Sequence, residues 1–423
     1  MTVPDPGLLG GAVIAALVGG AFGWTQTALT GRWLAACARE LAASEDAAAP
    51  SSPAADRSAA IVVAAIVVVI GLWWWEVRCF GQISGVVLPE VSFSTVALRW
   101  LAHIVLIWFL VASTWIDLRY RVIPDWVTIP GLIIGLVGVC LVPATLLPVI
   151  AEVPREFATP RLLPDVLGWA GPLERAATVD GWWSAGHPIA LLTALALYTL
   201  WWVVGTGPDL GGEAETPPDA EDALEPSSSA PPAVGTGRWL LLVIGLFAVA
   251  GAWGIGGIRF DALLTALVGV VVAGGVVWAT RAGASLAIGR EAMGLGDVTL
   301  MAMVGGWLGW QASVLACVLG VLFGLVHGVI QIVRHRESEL PFGPSLCAGT
   351  VTVLIGWRPL WKVSAASFAE TGQLAGTVVA VVAGTALSLW VWSSLGPAAR
   401  RVALAAMVLL GLALVGWLLL LGR

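Results

Sequence analysis

At 423 residues, 58% of them hydrophobic and only 11% charged, the chain is far more apolar than a soluble domain, where about a quarter of residues carry charge. Its apolar runs are continuous rather than alternating, which excludes a transmembrane β-barrel and predicts an all-α, polytopic transmembrane helix bundle. The formal charge of −6 comes in part from one acidic linker and gives no basis for nucleic-acid binding.

Taken in chain order, windows of about 20 apolar residues predict about twelve membrane segments. They fall near residues 8–29, 60–75, 97–115, 126–148, 189–205, 238–257, 261–280, 298–309, 312–333, 345–361, 374–394 and 402–421. The segment at 298–309 is short, and with its successor it also reads as one bent element. Residues 1–7 lack the basic region of a cleavable signal, so the first apolar run is expected to stay as an anchor. Polar loops are expected at 31–59 and 151–188. Residues 206–237, with Glu213, Glu215, Asp219, Glu221, Asp222 and Glu225 among prolines and serines, read as a disordered acidic linker. Tryptophan pairs and triplets such as Trp73-Trp74-Trp75, Trp182-Trp183 and Trp201-Trp202 suit membrane-interface belts. The Lys/Arg bias between loops places the N-terminus outside, and residues 117 and 297 then share the cytoplasmic side.

The five cysteines are scattered singly, so neither a disulfide framework nor a zinc ribbon is readable. The four histidines have no ligand spacing, and no metal is expected. His103, inside an apolar helix, reads as a hydrogen-bonded structural residue rather than a proton relay. Glu76 and Glu90 read as interface residues flanking an outer loop.

Two acids stand apart. Asp117 lies in Trp-Ile-Asp-Leu-Arg-Tyr-Arg-Val-Ile-Pro at residues 115–124, at the end of the third apolar run. Asp297 lies in Met-Gly-Leu-Gly-Asp-Val-Thr-Leu at residues 293–300, at the start of the eighth. A carboxylate at the bilayer edge costs several kcal/mol of solvation and so marks a functional position. Two facing carboxylates cannot both ionise cheaply; sharing a proton, they can activate water against an amide. Each acid also has an ordinary reading. Asp117 would cap a loop or pair with Arg119, and Asp297 would be the N-cap of the helix that Val298 begins. Gly294 and Gly296 allow close backbone approach before Asp297. Pro124 is suited to the first position of the next helix, with Asp125 in its first turn. Pro341-Phe342-Gly343-Pro344 reads as a helix-opening turn.

Together, Asp117 with Ile123-Pro124, Gly294-Leu295-Gly296-Asp297, and Leu340-Pro341-Phe342-Gly343-Pro344 resemble the prepilin peptidases. These are type IV prepilin leader peptidases, GxGD-type intramembrane aspartic proteases. The resemblance covers residues 97–143 and 258–362 well and 8–33 loosely. It implies that Asp117 and Asp297 are the catalytic pair, with Ile123, Pro124, Gly294, Gly296, Pro341 and Gly343 in the motifs around the substrate groove. It further implies leader removal from type IV prepilins or pseudopilins at the cytoplasmic face of the inner membrane, for pilus or type II secretion assembly. The cleaved leader would be short and basic, ending in glycine before an apolar helix. Proteolysis needs no cofactor; S-adenosylmethionine enters only if the chain also N-methylates the new terminus.

The chain departs from this pattern in three ways. Thr299 stands where the family usually has lysine, which would help hold a nearby carboxylate ionised. The 31–59 loop is short and holds only Cys37, where methylating members typically carry two Cys-x-x-Cys pairs. The aspartates are 180 positions apart, with residues 144–257 reading as an insertion of two helices and two polar loops. The organisation expected is therefore 1–96, N-terminal segments; 97–143, first aspartate region; 144–257, insertion; 258–362, second aspartate region; and 363–423, a further helix pair. Buried acids also suit a non-enzymatic proton-coupled transporter or an inactive relative serving as an assembly scaffold.

Overall fold

In hydrocarbon every backbone N–H and C=O must be satisfied within the chain, and continuous apolar runs meet that demand only as helices. The computed structural model of the protein describes residues 14–26, 58–79, 81–82, 93–147, 187–206, 236–289, 293–335 and 341–369, with position 28 and isolated positions between 376 and 394. All regular structure among these residues is helical. Residues 14–26 form α1. Then follow α2 (Ser58–Trp73), which runs into one wide π-turn (Trp74–Arg78), α3 (Phe93–Tyr120), α4 (Asp125–Leu141) and a short 3-10 turn (Pro143–Thr145). Next come α5 (Pro188–Thr206), α6 (Thr236–Ile255), α7 (Gly257–Ile288), α8 (Leu295–Leu308), α9 (Trp310–His335) and α10 (Gly343–Ala369).

Four of these helices are long and apolar enough to cross a membrane: Ser94–Tyr120, Pro188–Gly205, Arg259–Ile288 and Trp310–Gly328. The helices Asp125–Leu141, Trp239–Ile255 and Leu295–Leu308 are apolar but shorter. The protein is an integral membrane protein. The predicted segment at 402–421, the loop at 151–188 apart from its last two residues, and nearly all of the loops at 31–59 and 206–237 lie outside the described residues.

The centre of the bundle is α8. Every residue from Asp297 to Leu308 is buried, enclosed by α4, α7, α9 and the end of α3. Its 14 residues span about 21 Å, short of the roughly 30 Å hydrocarbon core. Gly309, at φ 82°, breaks the chain between α8 and α9, so they are two helices rather than one bent element. The tightest seam is α7 on α8. A Cβ on Gly269 would collide with the carbonyl of Gly305, and one on Gly305 with the carbonyl of Gly269, so the two backbones touch. Trp307 fills the α4 side and donates its indole N–H to the Gly131 carbonyl at 2.9 Å.

Burial corrects two expectations. Glu76 is not an interface residue: it is 4% exposed and meets Arg99 Nε at 3.1 Å and His103 Nδ1 at 2.8 Å. The other ring nitrogen of His103 meets the Thr145 carbonyl at 2.9 Å, and Arg99 also donates to Gln82. His103 is thus a hydrogen-bonded structural residue, and Arg99 is inside the bundle. Trp73 and Trp201 are likewise core residues, while Trp74 and Trp75 face outward as interface tryptophans would. Glu90 and Trp182-Trp183 lie outside the described residues.

Candidate active site

Asp117 stands in the last turn of α3, three residues before its end at Tyr120. The helix is closed by Arg121, whose N–H bonds the Asp117 carbonyl at 2.8 Å. Arg121 takes φ 57°, the one positive φ at a non-glycine among the described residues. A side chain in that region costs about 1–2 kcal/mol, which identifies this reversal as a place where the backbone is held under strain. The chain turns through Ile123 to Pro124, which is the N-cap of α4 at φ −80° and ψ 142° rather than its first helical residue; Asp125 takes that position.

Asp297 is the third residue of α8. Gly294 is the N-cap, in extended backbone, so Asp297 lies in the first turn and is not the cap itself. The turn leading to it is tied down by Arg281 of α7, which donates from Nε to the Met293 carbonyl at 2.8 Å.

Three segments distant in sequence close around the two acids. Gly296 is pressed against Ile123, whose carbonyl and Cβ a side chain at 296 would strike. Gly343, the first residue of α10, donates its N–H to Asp117 Oδ2 at 3.1 Å. A Cβ there would lie 2.6 Å from both that oxygen and Ile123 Cδ1. Asp117 is 5% exposed and Asp297 9%, and the Asp117 carboxyl acts electrostatically on that of Asp297. Such an interaction is strong where water is scarce. The Cys347 thiol, one turn into α10, hydrogen-bonds with Thr114. Beside the pair, the Thr128 hydroxyl donates to Thr299 Oγ1 at 3.0 Å, and Thr299 donates to the Gly296 carbonyl at 3.1 Å.

Of the residues singled out from sequence, Asp117, Ile123, Gly296, Asp297 and Gly343 come together, and Pro124 and Gly294 bound the two turns. Among the described residues a Cβ at Gly294 would meet only the Gly296 nitrogen, at 3.9 Å, so their packing does not require glycine there. Pro341 is half-buried in the approach to α10. Among the described residues, no three His, Cys, Asp or Glu side chains converge as a metal-binding group. Four contributors were missed from sequence: Thr114, Thr128, Arg281 and Cys347. Two had a signal in helical spacing. Thr114 precedes Asp117 by three residues and Cys347 follows Gly343 by four, so each shares a helix face with a residue already chosen.

Comparison with known proteins bears on both halves of this site. A model of the type IV leader peptidase family matches residues 104–153 and 237–329, which include Asp117 and Asp297. The prepilin leader peptidase/N-methyltransferase of Aeromonas salmonicida is 38% identical over 100 residues, 23% of this chain and 33% of the relative. The Pseudomonas aeruginosa protein of that name is 39% identical over 120 residues, covering 27% and 39%. That of Stutzerimonas stutzeri is 36% identical over 143 residues, covering 33% and 44%. The matches thus span a third to somewhat under half of the length of these relatives. No solved structure shows a significant match. Over the two segments that supply the buried aspartates, the chain matches the type IV leader peptidase family, as its motifs lead one to expect.

Proposed function

We propose that the protein is an intramembrane aspartic endopeptidase that removes the leader peptide of type IV prepilins or pseudopilins. The observation that carries this reading is the convergence of Asp117 and Asp297 in one buried site, with Gly343 bonded to the first and Gly296 adjoining the second. One carboxyl is ionised and the other protonated, since two like charges sharing a buried site do not both ionise cheaply. The ionised partner takes a proton from water as it attacks the scissile carbonyl, and the protonated partner donates to the carbonyl oxygen. When the tetrahedral intermediate collapses, the carboxyl that took the proton from water gives it to the leaving amine nitrogen, and the other carboxylate takes a proton back from the diol, which restores the pair. The relatives named for leader peptidase activity favour this reading over a carrier or an inactive scaffold.

The wider reading follows from the same resemblance. The chain is a multi-pass protein of the inner membrane with about twelve segments, and the acids open toward the cytoplasm. Residues 97–143 and 258–362 form the catalytic core, and 144–257 is an insertion. The family model leaves residues 154–236 unmatched, the central part of that stretch, which is in keeping with an insertion there. The relatives are also named N-methyltransferases, so S-adenosylmethionine is a cofactor to test for the modification of the new terminus.

The test is to co-express the chain with candidate pilin precursors and read the N-terminal mass of each product. Loss of the leader mass supports the peptidase, and a further gain of about 14 Da, the mass of one added methylene, reports methylation. Intact precursor in the presence of inserted protein, for every basic-leader substrate tried, rejects it.

A further inference from the structure

Two threonines beside the dyad do a job that neither motif spacing nor burial alone suggests. Thr128 lies in the first turn of α4 and Thr299 in the second turn of α8, each 1% exposed. A hydroxyl has one proton to give. Thr299 spends its proton on the Gly296 carbonyl, at 3.1 Å, and therefore receives the proton of Thr128, at 3.0 Å. The relay has one direction: α4 side chain, α8 side chain, α8 backbone.

Its end point matters. The carbonyl of Gly296 belongs to the same planar peptide unit as the nitrogen of Asp297, so holding that oxygen fixes the plane from which Asp297 departs. Its starting point matters as well. Thr128 is four residues past Pro124, and the turn before Pro124 runs directly back to the end of α3, where Arg121 is bonded to Asp117. The relay therefore ties the backbone that carries one acid to the backbone that carries the other, without touching either carboxyl.

We propose that Thr128 and Thr299 are positioning residues for the dyad, setting the separation and tilt of Asp297 relative to Asp117. The inference rests on the peptidase reading. Misplacing a reacting group by about an ångström can cost about a hundredfold in rate, so a smaller shift in a buried dyad registers in kcat.

The experiment uses the full-length protein in membranes, a cleavable precursor, and the variants Thr299→Val, Thr128→Val, Thr299→Ser and the double valine. Valine keeps the branched shape and removes the hydroxyl. Each single valine is expected to lower kcat about tenfold with KM changed less than about twofold, because binding is not what the relay serves. The serine variant keeps kcat near wild type. The double valine is the decisive arm. Removing both partners of a buried bond restores much of the stability that a single removal loses. A clamp acting on geometry predicts that melting temperature recovers in the double variant while kcat stays low. Recovery of kcat along with melting temperature overturns the proposal, as does wild-type kcat in either single valine variant or a serine variant as slow as valine. These outcomes are separate from failure of the peptidase reading, in which the wild-type chain itself leaves the precursor intact.

Discussion

The N–H of Gly343 donates to Oδ2 of Asp117 at 3.1 Å, joining residues 226 positions apart at the mouth of α10. The donor is backbone, so its position is set by where α10 begins and not by a rotamer. Gly343 follows Phe342, whose carbonyl accepts from Ser345 and Leu346 and so shapes the first turn. The third motif thereby becomes part of the site, although it contributes no acidic side chain.

Gly343→Ala tests that contact directly. The new Cβ would sit 2.6 Å from Asp117 Oδ2 and from Ile123 Cδ1, inside van der Waals contact with both, and neither belongs to a long flexible side chain that can swing away. Relieving the overlap moves either α10 or the carboxyl. The expected outcome is a stability loss of about 1–3 kcal/mol and a fall in cleavage of tenfold or more. Thermal melting in detergent and initial rates of leader removal measure the two separately. A fully active alanine variant means that the α10 turn does not sit on Asp117 during catalysis.

Asp117→Asn and Asp297→Asn each remove one proton-transfer group while keeping size and hydrogen-bonding capacity. Each is expected to reduce cleavage by at least about a thousandfold, within the range general acid–base catalysis supplies, while the protein still inserts. The same pair sets the pH dependence. Rate falls on the acid side as the base of the pair is protonated and on the alkaline side as its acid is ionised, giving a bell. Initial rates across pH on solubilised enzyme test this. A monotonic profile argues for one titrating group and against a dyad.

Much of this site was legible because membrane-embedded acids and glycines have few innocent explanations. Asp117 and Asp297 stand out as acids against an apolar background, Gly296 as a point of close backbone approach, and Gly343 only through the family resemblance of its motif; all four meet. The helices were legible for the same reason, since an apolar run in lipid has one backbone solution. Glu76 misled because an acid next to three tryptophans looks like an interface residue. Its partners Arg99 and His103 lie 23 and 27 positions later, on another helix, and hydropathy does not encode that pairing. Thr128 and Thr299 were hidden differently: 171 positions apart, they are ordinary in composition and acquire meaning only when α4 packs on α8.

The Glu76–Arg99–His103 cluster should govern stability rather than chemistry. His103 precedes Asp117 by 14 residues on α3, about 21 Å along the helix, too far to touch the dyad. Both Arg99 and Glu76 are nearly fully buried, so removing Glu76 leaves the Arg99 cation with only the neutral Gln82, and removing Arg99 leaves Glu76 with His103 alone. Glu76→Gln or Arg99→Met is expected to cost about 3–5 kcal/mol, with the combined Glu76→Leu and Arg99→Met variant costing less than either. The readout is the melting transition, with cleavage measured well below it and expected near wild type. A cleavage defect in a well-folded variant would show that the two ends of α3 are coupled.

The outer half of α10 offers a separate test of how the bundle satisfies its backbone. Pro359 has no N–H, so the carbonyl of Ile355, four residues earlier, loses its helical donor, and Gly356 between them leaves helical geometry at φ −95° and ψ 18°. The structure supplies substitutes from the segment after α2. Trp75 donates its indole N–H to the Ile355 carbonyl at 3.1 Å, and Gln82 donates to the Leu354 carbonyl at 2.8 Å. Trp75→Phe keeps the aromatic bulk and removes the donor, and it is expected to destabilise by about 1 kcal/mol. In a Pro359→Ala background the new N–H at 359 can take the Ile355 carbonyl as an ordinary helix does, so the same tryptophan substitution should cost markedly less. A double-mutant cycle on melting temperature reads this coupling directly, and additive costs would mean that Trp75 stabilises the bundle through packing alone.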